Sequence, residues 1–394
     1  MISVNEAKKI IQEQVIPLNP VQLSLLQAAG LTLASDVFSM IDSPPFNQSS
    51  MDGYAFCFDG WKNNGVLEIE GEIAAGSNTT KTYSSEKAVR IFTGAPVPQG
   101  TDTVVMQEKV TVAKGILTIE DQNIQVGINV RPMGADIKLG ELALKAGSKL
   151  TSGAIGFLSG IGISEISVFP KPTVSIIVTG NELQAAGKPL QFGQVYESNS
   201  STITAALQQL NINEIKVFWA EDNLNVLQKT LEEAISASDV IVLMGGISVG
   251  DYDYVLQAAE NCGVTKLFHR IKQKPGKPLY FGKKENKLIF GLPGNPSSVL
   301  TCYYEYLFPA LQQLSNQLGG LKKLKVPLLK SINKVAGLTQ FLKGFYDGET
   351  VLPLGAQESY RLSSFAQANC LIVLGENTGC CEIGENVLIH LLPE

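Results

Sequence analysis

The sequence predicts a multidomain protein built around an α/β domain with a mostly parallel sheet, flanked by β-type units on both sides. Three observations predict it. Between residues 174 and 311, short β-branched runs alternate strictly with helical patterns, which argues for a parallel sheet covered by helices on both faces. Residues 67–126, and again the chain from 322 onward, consist of short β-rich runs broken by Gly, Asn, Pro and Asp. Pro170-Lys171-Pro172 separates the first two regions, because two prolines block continuation of regular structure.

Taken in chain order, Val4, Ala7, Ile10 and Ile11 fall at helical spacing, and Val21, Leu25, Leu26 and Ala29 repeat it before Gly30. The runs 67–70, 88–92, 103–106 and 116–119 read as strands of a compact β-rich unit. A helical pattern over 152–158 and a short strand over 165–169 then lead to the linker. Beyond it come a strand at 174–178, a helix at 200–210 preceded by Asn and Ser caps, and a strand at 215–219. A helix at 223–235, a strand at 240–244 and a helix at 254–260 follow. The series closes with a strand at 287–290 and a helix at 297–311, introduced by Asn295-Pro296. The apolar runs 370–374 and 387–392 suit a small β-barrel or sandwich.

A chain of 394 residues, 44% hydrophobic, holds material for roughly two to four domains. Its formal charge of −6 argues against a general nucleic-acid or anionic-membrane binder, so neither is an expected partner. No apolar run approaches the ~18 residues needed to span a bilayer. Residues 1–6 lack the basic and apolar regions of a signal peptide, and a cytoplasmic location is expected. Cys57, Cys262, Cys302, Cys370, Cys380 and Cys381 contain no C-x-x-C pair and read as reduced thiols. With only His269 and His390 available, a Ser-His-Asp triad or a histidine-ligated metal is disfavoured. Chemistry must rest on carboxylates, lysines, hydroxyls and backbone amides.

Such residues stand after each predicted strand of the α/β region. Thr179-Gly180-Asn181-Glu182-Leu183 follows the first and Glu221-Asp222-Asn223 the second. Gly245-Gly246-Ile247-Ser248-Val249-Gly250-Asp251-Tyr252-Asp253 follows the third, and Gly291-Leu292-Pro293-Gly294-Asn295-Pro296-Ser297-Ser298 the fourth. A parallel sheet gathers these at one edge, where ligands of such sheets bind. Carboxylates there are hard oxygen ligands suited to Mg²⁺, and glycine amides and hydroxyls at helix starts suit an anion. Lys272, Lys274 and Lys277 add cations on a proline-stiffened loop. Each element also has a plainer reading: Asp222 as a helix N-cap, the lysines as a solvated loop, 291–296 as a helix entry. No Walker or dinucleotide fingerprint is present.

The motifs at 245–253, 274–278 and 291–296 together resemble the molybdopterin molybdenumtransferases, a family whose eukaryotic relatives include the C-terminal part of gephyrin. Ser50-Met51-Asp52-Gly53-Tyr54-Ala55, Thr93-Gly94-Ala95-Pro96-Val97-Pro98 and Arg131-Pro132-Met133-Gly134-Ala135-Asp136 look like further motifs of that family, as do Ser363-Ser364-Phe365 and Ala368-Asn369. One departure is Phe341-Leu342-Lys343-Gly344, where the family usually places an arginine before the glycine. Lys343 keeps the charge but lacks the planar fork of bidentate contact.

The resemblance implies a doubly wound central α/β domain at 171–316 and a discontinuous, mixed N-terminal domain at 1–40 and 128–170. It also implies an inserted β-rich domain at 41–127 and a C-terminal β-barrel at 317–394. It implies an elongated homodimer of L-shaped subunits, in which the β-rich unit of one copy completes the cleft of the other. The implied reaction inserts molybdenum from molybdate into adenylylated molybdopterin with release of AMP, in the presence of Mg²⁺. Glu182, Asp222 and Asp253 are expected to organise metal and water, and Asp52, Thr93 and Asp136 to complete the cleft. Gly245, Gly246, Ser248, Gly250, Lys274, Lys277, Pro293, Pro296, Ser298, Lys343 and Ser364 are expected to bind substrate. The upstream adenylyltransferase and recipient molybdoenzymes are implied protein partners. The alternatives are a molybdopterin adenylyltransferase using the same central domain, and a non-catalytic pterin carrier or scaffold.

Overall fold

The computed structural model describes residues 1–78, 80–246, 254–317 and 319–393. These form two compact units, one of Met1–Val21 with Phe169–Glu394 and one of Gln22–Val168.

In the first unit a six-stranded sheet runs in the order Ile215–Ala220, Val174–Thr179, Val240–Met244, Lys287–Leu292, Pro278–Lys284, Thr265–Arg270. The first four strands are mutually parallel, and the last two add antiparallel. Val174–Thr179 and Val240–Met244 are buried throughout, which is why they read as unbroken apolar runs. Successive side chains feed opposite faces. Ile176, Val178, Val242 and Phe290 pack with Ile203, Leu207 and Tyr303. Ile177, Ile241, Leu243 and Ile289 pack with Leu227, Leu231 and Ala258. Each fully buried side chain of this kind contributes ~1.5–3 kcal/mol. The two antiparallel strands were not anticipated, because the proline and lysine loop between them masked their pattern.

Helix Val4–Gln14 is capped by the Ser3 hydroxyl, which accepts from the Glu6 amide at 3.1 Å. Its Ala7 and Ile11 enter the core with Ile203 and Tyr303, so these first residues pack with the α/β sheet rather than with residues 22–40. The helix expected over 297–311 divides into Pro296–Cys302, a π turn at Tyr303–Leu307, and Phe308–Leu314. Pro309 explains the break. It has no N–H to offer the Glu305 carbonyl, and the Phe308 amide bonds the Tyr303 carbonyl instead.

The C-terminal strands pair in the order Thr339–Tyr346, Cys370–Leu374, Asn386–Leu391, Lys323–Pro327. The ring closes because Leu328 bridges Val351, whose strand Val351–Pro353 pairs back onto Thr339–Tyr346. Val326, Ile372 and Ile389 fill this small barrel. Gln273–Lys274 joins it as a parallel edge against Thr339 and Gln340.

The second unit carries a six-stranded sheet in the order Thr103–Met106, Gly53–Phe56, Lys87–Ile91, Val66–Ile73, Ile116–Ile119, Val110–Ala113. A smaller sheet of Val21–Ser24, Glu165–Phe169 and Thr32–Leu33 packs with helix Ser152–Gly160. The helical spacing of Val21 to Ala29 is therefore misleading. Val21–Ser24 is a strand, and a turn follows in which Ala28 N–H bonds the Ser24 carbonyl. Leu25, Ala28 and Leu31 are buried by that turn while Leu26 is 82% exposed, so a spacing of three residues served one turn, not a helix. Among the described residues, no helix is long and apolar enough to cross a membrane.

Candidate active-site cleft

The carboxyl ends of the parallel strands open into a cavity of about 980 Å³. Of the residues singled out in the sequence, Glu182, Asp222, Gly245, Gly246, Lys274, Lys277, Pro293, Pro296 and Ser298 line it. Four strand-end segments, distant in sequence, thus converge as a parallel sheet requires. Ser248, Gly250, Asp251 and Asp253 lie outside the described residues.

Each lining group is set by its strand. Asp222 follows Ile215–Ala220, and its Oδ1 accepts from the Thr179 hydroxyl at 2.7 Å. It does not cap the next helix: the Asn223 side chain does so, accepting from the Asn225 and Val226 amides at 3.0 and 3.2 Å. Gly245 has φ +92°, and a Cβ there would stand 2.3 Å from the Thr179 carbonyl oxygen. Only glycine lets the chain leave its strand that close to its neighbour. Ser298 is buried in the first turn of helix Pro296–Cys302. Lys274 and Lys277 are exposed, and neither forms an ion pair among the described residues.

Two expected substrate contacts lie elsewhere. Lys343 is only 2% exposed, in the strand Thr339–Tyr346, and does not line the cavity. Its ammonium donates to the carbonyls of Ala356 and Arg361 at 2.8 and 3.0 Å, and burial holds its pKa below the ordinary lysine value. Ser364 Oγ donates to the same Ala356 carbonyl at 2.8 Å. Both side chains tie down the segment that carries Gln357, Ser359 and Tyr360, and those three do line the cavity. Lys343 and Ser364 thus support the wall instead of forming its surface. No spacing marked Ser359 or Tyr360, since the short strand before them, Val351–Pro353, lies outside the α/β alternation that organised the expected site.

Glu197 and Asn199 also line the cavity and were not anticipated. The Glu197 carboxylate accepts from the Ser200 amide at 2.8 Å and from the Ser200 hydroxyl, taking the capping role expected of Asn and Ser. Both its oxygens are thereby engaged, which leaves Glu182 and Asp222 as the open acids. Among the described residues no group of three or more His, Cys, Asp or Glu could hold a metal ion. Two carboxylates beside an open cavity nevertheless fit the needs of Mg²⁺, which takes one or two protein carboxylates and fills its remaining positions with water and phosphate oxygens.

Asp52, Thr93 and Asp136 belong to the second unit. Asp52 Oδ1 accepts from both the amide and the hydroxyl of Thr93, at 2.7 and 2.8 Å. These two bonds, the amide first, hold its pKa below the usual carboxylate value. Beside them the Arg90 guanidinium stacks over Tyr54 and Phe92 at 5.2 and 4.9 Å and donates to the Gly53 carbonyl at 3.0 Å. Asp136 is exposed, and its amide donates to the Ser43 carbonyl at 2.8 Å.

Fold and cleft together define an α/β enzyme with an appended barrel. Residues 2–162 match the MoeA N-terminal region (domain I and II), 175–313 a probable molybdopterin binding domain, and 325–392 the MoeA C-terminal region (domain IV). A molybdopterin molybdenumtransferase of Haemophilus influenzae is 35% identical over the full length of both chains. One from Staphylococcus epidermidis is 32% identical over 100% of this chain and 96% of its own. The crystal structure of a molybdopterin biosynthesis MoeA protein from Pyrococcus horikosii superimposes with a TM-score of 0.87 at 28% identity, covering 100% of each chain. The chain belongs to the molybdopterin molybdenumtransferase family, transferases of molybdenum cofactor biosynthesis.

Proposed function

We propose that this transferase takes molybdate and adenylylated molybdopterin into the strand-end cleft, inserts molybdenum into the pterin and releases AMP. The observation that supports it is the make-up of the cavity lining, which brings Lys274, Lys277, Ser298 and the Gly245-Gly246 turn together with Glu182 and Asp222. Ammonium and hydroxyl groups bind tetrahedral oxyanions and phosphates through charge-assisted hydrogen bonds. Glu182 and Asp222, joined by Asp253, would hold Mg²⁺. Bound there, the ion supplies neutralisation of charge on the phosphate that leaves with AMP. Thr179 keeps Asp222 in one orientation for this task. The pterin dithiolene is the group that captures molybdenum, and no cysteine is among the described residues that line the cavity. Burial pushes the Cys302 thiol up strongly and that of Cys370 to about 12, so neither supplies a thiolate.

The test is AMP release from adenylylated molybdopterin, with and without molybdate and Mg²⁺. Release that needs both supports insertion. Accumulation of adenylylated pterin from ATP and molybdopterin would instead favour the adenylyltransferase, and tight pterin binding without turnover a carrier. Homodimer assembly and a role for the Asp52–Thr93 pair belong to the same proposal. Mixing inactive Asp52→Ala with inactive Asp253→Asn should restore activity if one copy supplies Asp52 to another. Failure of the mixture to recover, with exchange of subunits demonstrated, would sink that part. The upstream adenylyltransferase and recipient molybdoenzymes are proposed as its neighbours in the same biosynthesis, handing over the adenylate and receiving the product.

A further inference from the structure

We infer that Gln273 is a positioning residue for this reaction, its buried side-chain amide being the template on which the lysine loop 274–278 is folded. The inference rests on the proposed reading of the cleft as an oxyanion site. Gln273 is only 1% exposed. Its Nε2 donates to the carbonyls of Pro275 and Gly276 at 3.1 and 3.0 Å and lies 3.6 Å from Cys302 Sγ. Its Oε1 accepts from the Tyr306 hydroxyl. The orientation of the amide is fixed by chemistry. Two carbonyls can only accept, so they must face the nitrogen, and the phenol opposite must donate. Burial raises the Tyr306 phenol well above its ordinary range, which keeps it a donor.

The loop lies directly on this amide. Gly276 has φ +82°, and a Cβ there would stand 2.8 Å from Gln273 Nε2 and 2.5 Å from Cys302 Sγ. Both ends of the loop are tied. The Lys277 carbonyl accepts from the Ile271 amide at 3.0 Å, and Gln273–Lys274 pairs with the barrel strand at Thr339 and Gln340. Lys274 and Lys277 therefore stand on either side of one buried amide, and both line the cavity. The anchor is itself held. Tyr306 sits in the π turn created by Pro309, where the neighbouring Glu305 carboxylate bonds Lys8 and, at 2.7 Å, the buried His390. Two flexible lysines reach one anion in a fixed geometry only when the backbone beneath them is pre-set, and this amide sets it.

The test compares Gln273→Met, which keeps the volume and removes every hydrogen bond of the amide, with Tyr306→Phe, which removes one. In molybdate-dependent AMP release, Gln273→Met should raise the KM for molybdate by about 10-fold or more while kcat at saturation changes little. Tyr306→Phe should move KM in the same direction by less. In the background of Lys274→Ala with Lys277→Ala, adding Gln273→Met should raise KM no further, because its effect passes through those lysines. A KM that rises equally in both backgrounds, or that stays constant for both single variants while melting temperature falls, would overturn the inference. If the lysine double variant alone leaves the molybdate KM unchanged, the oxyanion reading of the cleft fails, and the inference fails with it.

Discussion

The α/β end of the cleft and its barrel wall receive their motif residues in opposite ways. On the α/β side, Glu182, Asp222, Lys274, Lys277 and Ser298 all reach the cavity surface. On the barrel side, Lys343 and Ser364 sit behind the surface and hold the Ala356 carbonyl, while Ser359 and Tyr360 face the cavity. The difference follows from architecture. A parallel sheet ends all its strands at one edge, so whatever follows a strand is presented there. Along a barrel strand side chains point alternately in and out. Leu342 and Tyr346 join the barrel core, and Lys343, opposite Leu371, lies on the other face, where the segment carrying Ala356 and Arg361 covers it.

The contrast is broken most sharply by a pair of variants. Asp222→Ala should lower AMP release on the order of 10²-fold, as loss of a group acting on transition-state charge does, with melting temperature nearly unchanged because the residue is exposed. Lys343→Met should do the reverse. It leaves the Ala356 and Arg361 carbonyls without their ammonium donor, at ~1–3 kcal/mol of stability, measured by denaturant or thermal unfolding. If Lys343→Met instead weakens molybdate binding in a fully folded protein, the distinction between surface and support collapses.

A milder probe sharpens the α/β side. Thr179→Val keeps the shape of the strand end and removes only the hydroxyl that Asp222 Oδ1 accepts from. Support groups of this kind typically change metal affinity by about 10–100-fold. The Mg²⁺ concentration for half-maximal AMP release should rise within that range, with kcat at saturating Mg²⁺ retained. An unchanged Mg²⁺ dependence would remove Asp222 from the metal site.

The same contrast explains what was legible in the sequence. Three of the four parallel strands, Val174–Thr179, Val240–Met244 and Lys287–Leu292, could be read because burial on both faces leaves nearly unbroken apolar runs and glycine turns mark their ends. The partly exposed edge strand Ile215–Ala220 showed instead through its β-branched and aromatic residues. The π turn at Tyr303–Leu307 was hidden, although Pro309 was visible, because a proline within a helical pattern can kink a helix or begin a new one. The turn at Leu25–Leu31 was mistaken for a helix because one turn and a helix share their first spacing. Ser359, Tyr360 and Gln273 were invisible for a different reason. Their roles come from contacts across the fold, to Asn295 at 2.9 Å for Ser359 and to Tyr306 for Gln273, and no local pattern records such contacts. Lys343 misled in the opposite sense, since a family position predicted charge near the anion and burial then committed that charge to two carbonyls.

The second unit offers the smallest expected effect. Asp52 and Asp222 are both held by a threonine hydroxyl, at 2.8 and 2.7 Å, but Asp52 also accepts the Thr93 amide. Thr93→Val removes the hydroxyl and keeps the amide, which is the larger cause of the lowered Asp52 pKa. The Asp52 carboxyl should therefore titrate higher than in the parent and still below the ordinary carboxylate value, as followed by carboxyl-carbon NMR. The sign for stability follows from a folded-state pKa below the unfolded one. The contribution is present above the ordinary carboxylate pKa and is lost as pH falls through the lowered value. Thr93→Val should narrow that window from its acidic side. A titration that returns fully to the ordinary value would show that the hydroxyl, not the amide, holds Asp52, making the two Thr–Asp pairs alike where the geometry makes them different.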